Sequence, residues 1–359
     1  MYSARLTVFA AIAAVILLAL PAANLASRAY IGGALMPENP RDLWSVDRIE
    51  GNLSYLAMTC CQRSLFPRRV QIGRDGYLFL GDDDGAAMSK TAGTWPVPGG
   101  LIAAQAEALA NLRRRTAEAG AQFLAVIAPN KHSVYPGALP AGITPAARTV
   151  TDDLIAAAAA DGTPVLDLRP VLREVAGSAQ AYLRTDTHWT RAGAAASYAA
   201  IMNALGAQAV PYDLVPLRAP AGDLARLLKM QGLYRPGHEV DYRIDLRAPQ
   251  ATCAAKISLL SGDEGPCEDI AGGETSVMDK ALRVTRTPAA PSARTVLMLC
   301  DSFCAASSPL FNASFAEIWH VHWKFIDDRA LQRYLRALAP DIVILQMVER
   351  DALSLDLGR

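Results

Sequence analysis

The stretch RTVLMLCDSFCAASSPLF, residues 294–311, runs from an apolar segment through a polar turn into residues that can begin a helix. Its first part is continuously apolar, which is typical of a strand buried on both faces of a sheet. Asp301 and Ser302 follow that segment directly. The stretch therefore predicts a strand, a turn that bears a serine, and then a helix.

Helical and extended patterns alternate through the rest of the chain in the same way. The clearest helical patterns lie at residues 101–120, 190–206 and 329–339, and the clearest apolar runs at 121–129 and 340–348. This alternation predicts an α/β fold with a mainly parallel central sheet and helices on both faces, a three-layer α/β/α arrangement.

The N-terminal segment predicts export. Arg5 precedes an apolar run, residues 6–26, that is about as long as a helix needs to be to cross a bilayer. Ala22 and Ala26 are small enough for a signal peptidase, but no clean Ala-x-Ala pattern is present. We interpret residues 1–27 as a signal anchor or signal peptide, and we favour a retained anchor.

The rest of the chain divides into an entry segment and one large domain. We interpret residues 28–70, with their prolines, as a juxtamembrane linker and residues 71–359 as the α/β domain. Asp75 and Gly76 predict a hairpin with a tight turn near the start of that domain. Residues 210–290 are rich in proline, glycine and charge, and we predict that they form an insertion of loops with a small hairpin.

The overall charge of the chain excludes one class of partner. Its 359 residues include 35 Lys and Arg and 35 Asp and Glu, so the formal net charge is zero. A neutral chain offers no strong field for a polyanion, and no nucleic-acid partner is expected.

Six cysteines in an exported chain suggest disulfides. The predicted cross-link joins Cys60 or Cys61 to Cys253 or Cys267, because adjacent cysteines rarely bond each other and a long closed loop gains most in the chain-entropy account. The cysteines form no C-x-x-C pairs, and neither a metal site nor a cofactor is expected.

Ligands of open α/β sheets bind at the carboxyl ends of the strands, where Ser302 is predicted to lie. A nucleophilic serine needs a base within hydrogen-bond reach, and the base needs an orienting acid. The stretch YLRTDTHWTRAGA, residues 182–194, offers both in Asp186 and His188. We therefore predict a triad of Ser302, His188 and Asp186. The alternatives are that Ser302 caps a helix, that Asp186 caps the helix beginning near Thr190, and that His188 is a packed imidazole.

Three polar residues follow the apolar run at 121–129 and are expected at the same edge of the sheet: Asn130, Lys131 and His132. Asn130 is a candidate oxyanion donor, and Lys131 is a candidate for attracting a carboxylated sugar. The alternative is a loop of ordinary turn residues.

Arg350 at the end of the last apolar run either contacts substrate or pairs with a neighbouring carboxylate. Tyr135 is a candidate for stacking on a sugar ring. Packing over the histidine explains Trp189 better, and a helix face explains Tyr334 better. The run HVHW at 320–323 resembles a metal pair but lacks a third ligand.

Five stretches together resemble the SGNH-hydrolase-like domain of the alginate O-acetyltransferase group: IGRDGYLFL, APNKHSVYPGALP, DTHWTRAGA, LMLCDSF and PDIVILQMVER. They span about residues 70 to 350, in the order that the family shows. The resemblance implies an SGNH-hydrolase-like, flavodoxin-like fold with Ser302 as nucleophile, His188 as base and Asp186 as its orienter. One departure is Cys300, which stands where the family commonly has glycine two residues before the serine.

The resemblance also implies a function and a location. It implies an O-acetyltransferase that holds acetyl on Ser302 and passes it to hydroxyls of an exported polysaccharide, in the periplasm and anchored to the inner membrane. The implied partners are the polysaccharide acceptor, a membrane-bound O-acyltransferase that supplies acetyl, and other exopolysaccharide biosynthesis proteins. The alternatives are a carbohydrate esterase with the same triad and a non-catalytic scaffold of a biosynthesis complex.

Overall fold

The computed structural model describes residues 2–30, 40–235, 237–251, 253–258, 263–270, 273–278 and 281–358. Its α-helices are α1 Tyr2–Tyr30, α2 Asp47–Cys61, α3 Ala87–Ala92, α4 Leu101–Glu118, α5 Lys131–Val134, α6 Val150–Ala160, α7 Arg169–Ser178, α8 Arg191–Ala204, α9 Asp223–Leu227, α10 Ser308–Ser314 and α11 Asp328–Leu338. Its strands are β1 Val70–Ile72, β2 Leu78–Leu80, β3 Gln122–Ala128, β4 Val165–Asp167, β5 Tyr212–Ala219, β6 Glu239–Leu246, β7 Cys253–Ile257, β8 Glu264–Asp269, β9 Leu282–Arg286, β10 Ser292–Cys300, β11 Phe315–His322 and β12 Ile342–Val348.

Eight of these strands form the central sheet, in the order β4-β3-β12-β10-β11-β9-β7-β8. The first five run parallel to one another. The last three extend the sheet in antiparallel fashion. The predicted α/β fold with a mainly parallel core is confirmed, and the complete sheet is mixed.

Helices cover both faces of this sheet because side chains alternate along the buried strands. Leu297 of β10 belongs to one core cluster, together with side chains from α4, α6 and α11. Met298, the next residue, belongs to the opposite cluster, together with side chains from α7, α8 and α10. The two cores leave the carboxyl ends of the parallel strands as the edge where loops meet.

The N-terminal helix α1 contains a segment, Leu6–Ala26, that is long and apolar enough to cross a membrane. Its large apolar side chains are exposed, including Leu6 and Phe9, each at 72%. The helix fits the predicted signal or anchor segment.

The early hairpin is confirmed. β1 and β2 pair antiparallel, and Asp75 and Gly76 both have positive φ, at 53° and 76°. Positive φ at both central positions is the requirement of the tight turn that Asp-Gly favours.

Two segments hold more regular structure than the sequence predicts. The entry segment 28–70 contains the 15-residue helix α2. The described residues of the segment 210–290 form five strands; β5 and β6 form a separate hairpin, and β7, β8 and β9 join the central sheet. The pattern of β8, EGPCED, is polar because this strand lies at the exposed edge of the sheet.

Three disulfides pair the cysteines as Cys60–Cys61, Cys253–Cys267 and Cys300–Cys304. The predicted cross-link from Cys60 or Cys61 to Cys253 or Cys267 is therefore wrong. Cys253 lies on β7 and Cys267 on its antiparallel partner β8, so their Cα atoms are 5.5 Å apart. The local hairpin thus supplies each cysteine with a nearer partner than the distant segment.

Candidate active site

Ser302 begins a short 3-10 helix directly after β10, at the edge where the parallel strands end. Asp301 caps that helix, because its Oδ1 accepts a hydrogen bond from the backbone N–H of Phe303 at 3.0 Å. The other oxygen, Oδ2, accepts from the backbone N–H of Val348 at 2.6 Å. Asp301 fills the capping role, so the alternative that Ser302 is the helix cap is wrong.

His188 is the partner of the serine hydroxyl. Its Nε2 lies 2.8 Å from Oγ of Ser302, and its Nδ1 lies 2.6 Å from Oδ1 of Asp186. The same carboxylate oxygen accepts the backbone N–H of His188 at 2.9 Å, which fixes the turn between acid and base. The structure thus joins Ser302 to two residues that lie more than 110 positions earlier in the sequence, in one hydrogen-bonded chain.

The helix that follows this turn has its own cap. The hydroxyl of Thr190 accepts the backbone N–H of Gly193 at 3.2 Å, at the start of α8. The alternative that Asp186 caps this helix is therefore wrong, and one oxygen of its carboxylate bonds the imidazole instead.

The surrounding charges favour protonation of the imidazole. Burial alone lowers the pKa of His188, but the hydrogen bond to Asp186 and the negative charges of Asp186 and Asp223 bring it above its usual value. Burial alone raises the pKa of Asp186, but the hydrogen bond and the positive charge of His188 hold it well below the usual range. Because a base must be neutral to accept a proton, chemistry at this site should increase as the pH rises through the raised pKa of His188.

Comparison with known proteins places the chain in a family. Residues 70–266, more than half of the chain, match the family described as ALGX: SGNH hydrolase-like domain, acetyltransferase AlgX. The chain belongs to this family. The matched range includes Asp186 and His188, and Ser302 lies beyond its end. No curated protein sequence matches the chain.

Solved structures of the same fold agree with the family assignment. A DHHW family protein from Eubacterium siraeum is 16% identical over 78% of this chain and 90% of its own, with a TM-score of 0.54. PatB1 from Bacillus cereus is 16% identical over 79% of this chain and 97% of its own, with a TM-score of 0.56. AlgX from Pseudomonas aeruginosa is 15% identical over 82% of this chain and 66% of its own, with a TM-score of 0.50. At such identities the likeness shows a shared fold and nothing beyond it.

Lys131 holds the loop that carries the acid and the base of this AlgX-family domain. Its buried ammonium donates to three backbone carbonyl oxygens: those of Leu183 at 3.0 Å, Arg184 at 2.9 Å and Asp186 at 2.6 Å. Burial lowers the pKa of Lys131 to about 7. The three carbonyl oxygens favour the ammonium form, because each of them needs an N–H proton from the lysine. The prediction that Lys131 attracts a carboxylated sugar is wrong, because all its donors are used inside the protein.

Glu239 supports the same loop from the other side. This buried carboxylate of β6 accepts the backbone N–H groups of Arg184 at 3.0 Å and Thr185 at 2.7 Å. Sequence reasoning missed Glu239, since it lies in a strand of the segment read as loops.

The other predicted residues after β3 serve packing. His132 is buried, its Nε2 lies 2.9 Å from the carbonyl oxygen of Leu80, and burial lowers its pKa to about 4. The hydroxyl of Tyr135 accepts the backbone N–H of Ala181 at 2.8 Å. Its ring packs 4.8 Å from that of Tyr77, and the stacking of Tyr135 on a sugar stays a prediction.

Asn130 remains a prediction as an oxyanion donor. It follows β3, and β12 separates that strand from β10, which leads to Ser302. Its backbone N–H donates to Oε2 of Glu349 at 2.8 Å, which ties the ends of β3 and β12 together.

Arg350 lies beside Phe303 and pairs with Asp84 rather than with its neighbours in sequence. Its guanidinium carbon lies 5.9 Å from the ring centre of Phe303, and its Nε lies 3.3 Å from Oδ2 of Asp84. Phe303 in turn packs against His188 and Trp189, with ring centres 4.9 and 5.1 Å away. Trp189 therefore reaches the histidine through Phe303, and substrate contact by Arg350 stays a prediction.

The remaining aromatic and histidine candidates belong to the core. Tyr334 of α11 is 5% exposed and packs in the cluster with the sheet, as the helix-face interpretation expects. His320 and His322 of β11 are buried, and burial lowers their pKa to about 3 and about 4. Cys300, at the position where the family commonly has glycine, bonds to Cys304 on the other side of Ser302.

Sequence reasoning also missed Gly222, which touches the acid of the triad. A Cβ atom built on Gly222 would lie 2.3 Å from Oδ2 of Asp186. The backbone N–H of the next residue, Asp223, donates to that oxygen at 2.8 Å. The close approach requires a residue without a side chain.

Replacing Gly222 with alanine should displace Asp186 and lower activity. A displacement of about 1 Å at a catalytic group costs on the order of 100-fold in rate. The backbone φ of Gly222 is −88°, so the effect comes from the steric contact rather than from backbone strain. Gly232→Ala is the matched control, because a Cβ there meets nothing within 4 Å. Equal ester-cleaving rates in the two variants would contradict the prediction.

Proposed function

We propose that this protein is an O-acetyltransferase that moves acetyl groups onto hydroxyls of an exported polysaccharide through an acetyl-Ser302 intermediate. The observation that carries the proposal is the hydrogen-bonded chain from Ser302 through His188 to Asp186, at 2.8 and 2.6 Å. The family, described by an acetyltransferase, supports transfer of acetyl.

The chemistry follows from the direction of these hydrogen bonds. Oγ of Ser302 attacks the acetyl carbonyl of a donor while Nε2 of His188 takes its proton. Asp186 keeps the proton on Nδ1 and stabilises the imidazolium. The imidazolium then protonates the leaving group. In the second half, His188 takes the proton of a sugar hydroxyl, whose oxygen attacks the acetyl carbonyl. The imidazolium then returns that proton to Oγ of Ser302 as the bond between the acetyl group and the serine breaks.

The acceptor has room at the same edge of the sheet. A cavity of about 840 Å³ is lined by residues that include Lys90, Trp323, Lys324 and Arg350. Arg350 reaches from this cavity to Phe303, whose ring packs on His188. The residues that line the cavity do not include Ser302, His188 or Asp186, so a sugar chain held there would have to extend past Arg350 and Phe303 to reach the acylated serine.

The N-terminal helix supports action outside the cytoplasm. We propose that α1 anchors the domain to the inner membrane, with the catalytic domain in the periplasm, because its segment Leu6–Ala26 is long enough to span a bilayer. A membrane-bound O-acyltransferase is the proposed source of acetyl, and other exopolysaccharide biosynthesis proteins are proposed partners.

Acetyl transfer from a chromogenic acetyl ester to defined oligosaccharides tests the proposal against its alternatives. We expect acetylated oligosaccharide, detected by mass spectrometry, with the wild-type protein and none with Ser302→Ala. Release of free acetate alone would favour the esterase alternative, because water would then be the acceptor of the acyl-enzyme. If neither acetylated oligosaccharide nor free acetate forms with any of the oligosaccharides, the result would favour the non-catalytic scaffold.

A further inference from the structure

A second carboxylate faces the imidazole of His188. Oδ2 of Asp223 lies 3.7 Å from Nδ1 of His188, on the side where Asp186 makes its 2.6 Å bond. Asp223 begins α9, within the segment that the sequence suggested was an insertion of loops. Because Asp223 is distant from His188 in the sequence, the sequence alone does not reveal that the two side chains are close.

The position of Asp223 is fixed by several hydrogen bonds. Its Oδ1 accepts the backbone N–H of Thr187 at 2.7 Å, and its Oδ2 accepts the hydroxyl of Thr187. Its own backbone N–H donates to Oδ2 of Asp186 at 2.8 Å. The two carboxylates therefore belong to one rigid turn around the imidazole.

We propose that Asp223 is a second positioning acid for His188. Its negative charge stabilises the imidazolium, and Asp223 takes over part of the role of Asp186 when that carboxylate is neutralised. The proposal rests on the proposed function, in which His188 receives the proton of Ser302. Nε2 takes that proton and then gives it to the leaving group, while the Nδ1 proton stays between His188 and Asp186. Asp223 therefore gains no proton and acts through its charge.

The charges that face the imidazole set the size of the effect. Asp186 and Asp223 contribute negative charge, Arg350 contributes positive charge, and the hydroxyls of Ser302 and Thr187 are neutral. Burial and the charge of Asp186 raise the pKa of Asp223, whereas the neighbouring imidazolium and the two hydrogen bonds from Thr187 favour its ionised form. An opposite charge within about 4 to 6 Å shifts a pKa by about 1 to 3 units. Because Asp223 is farther from Nδ1 than Asp186 and 30% exposed, we expect about one unit.

The pKa of His188 tests the proposal without any assay of activity. Asp223→Asn keeps the shape and leaves an amide that can bond Thr187, but it removes the charge. In a ¹³C-histidine NMR titration of the full-length protein, the pKa of His188 should fall by about one unit in this variant. Asp223→Ser is a second neutral variant for the same measurement. Asp245→Asn is the matched control, since Asp245 lies in the same segment and pairs with Arg243 at the surface. An unchanged His188 pKa in the Asp223 variants would overturn the proposal.

Kinetics of ester cleavage against pH test the consequence for catalysis. In Asp223→Asn the acidic limb of kcat/KM should move to lower pH by the same unit, because a base with a lower pKa becomes neutral at a lower pH. The plateau value of kcat/KM should fall about tenfold, the equivalent of one pKa unit.

The double variant Asp186→Asn/Asp223→Asn should lose more of its kcat/KM than the product of the fold-losses of the two single variants. Strictly multiplicative losses with an unmoved limb would show that Asp223 only shapes the loop. If Ser302→Ala keeps full ester cleavage, the proposed function fails, and the NMR titration still decides the role of Asp223.

Discussion

Ser302→Ala should abolish both ester cleavage and acetyl transfer. Removing the nucleophile of a serine–histidine–acid unit typically costs about 10⁴-fold or more in kcat. The loss should be this large because Oγ of Ser302 lies 2.8 Å from Nε2 of His188, whereas the hydroxyl of Thr187 faces the other ring nitrogen, Nδ1, at 3.3 Å and cannot replace it. Initial rates with a chromogenic acetyl ester and the yield of acetylated oligosaccharide measure the two activities separately.

The companion variant His188→Ala should be nearly as severe, and the double variant Ser302→Ala/His188→Ala no worse than the serine change alone. Residues that act as a unit are strongly non-additive, because the loss of one makes the others useless. Ser178→Ala is the control variant, because it removes the hydroxyl of a serine on the exposed surface of α7. If the single losses multiply, or if Ser302→Ala retains most of its activity, the three residues do not act together.

The buried strands could be predicted because burial on both faces leaves an unbroken apolar signal. β3, β10 and β12 are such strands, and their neighbours in the sheet are all parallel. The strands at residues 253–286 lack this signal. β8 forms the edge of the sheet with mostly exposed side chains, so its sequence is polar and resembles a loop. The disulfide prediction failed because the polar sequence of β8 did not reveal that this strand pairs with β7, which brings Cys253 and Cys267 together.

The site could be predicted where chemistry demands particular residue types. A serine after a buried strand and an acid two residues before a histidine were sufficient to name Ser302, His188 and Asp186. Lys131 shows the limit of this reasoning. A lysine in a polar loop is usually exposed, and only the three carbonyl oxygens around its ammonium make burial tolerable. Asp223 was missed because its role depends on a contact between distant parts of the chain.

Lys131→Met should lower both stability and activity. Methionine has a similar length and suits a buried position, but it cannot donate to the carbonyl oxygens of residues 183, 184 and 186. Each buried acceptor left without a partner costs about 1 to 3 kcal/mol, and relaxation of the loop recovers part of this cost. We therefore expect the free energy of unfolding to fall by about 3 to 5 kcal/mol. Chemical denaturation followed by circular dichroism measures this loss.

The effect of Lys131→Met on catalysis follows from what the loop carries. Asp186 accepts from Lys131 through its backbone carbonyl at 2.6 Å and holds His188 through its carboxylate. When the carbonyls turn away from the apolar side chain, the imidazole should leave its alignment with Ser302, and the rate should fall on the order of 100-fold. Lys256→Met is the matched control, because Lys256 makes a surface ion pair with Glu268 at 3.2 Å, and such pairs contribute about 0 to 1 kcal/mol. If Lys131→Met were as stable and as active as the control, Lys131 would not hold the loop, and Glu239 on the opposite side would have to position the acid and the base by itself.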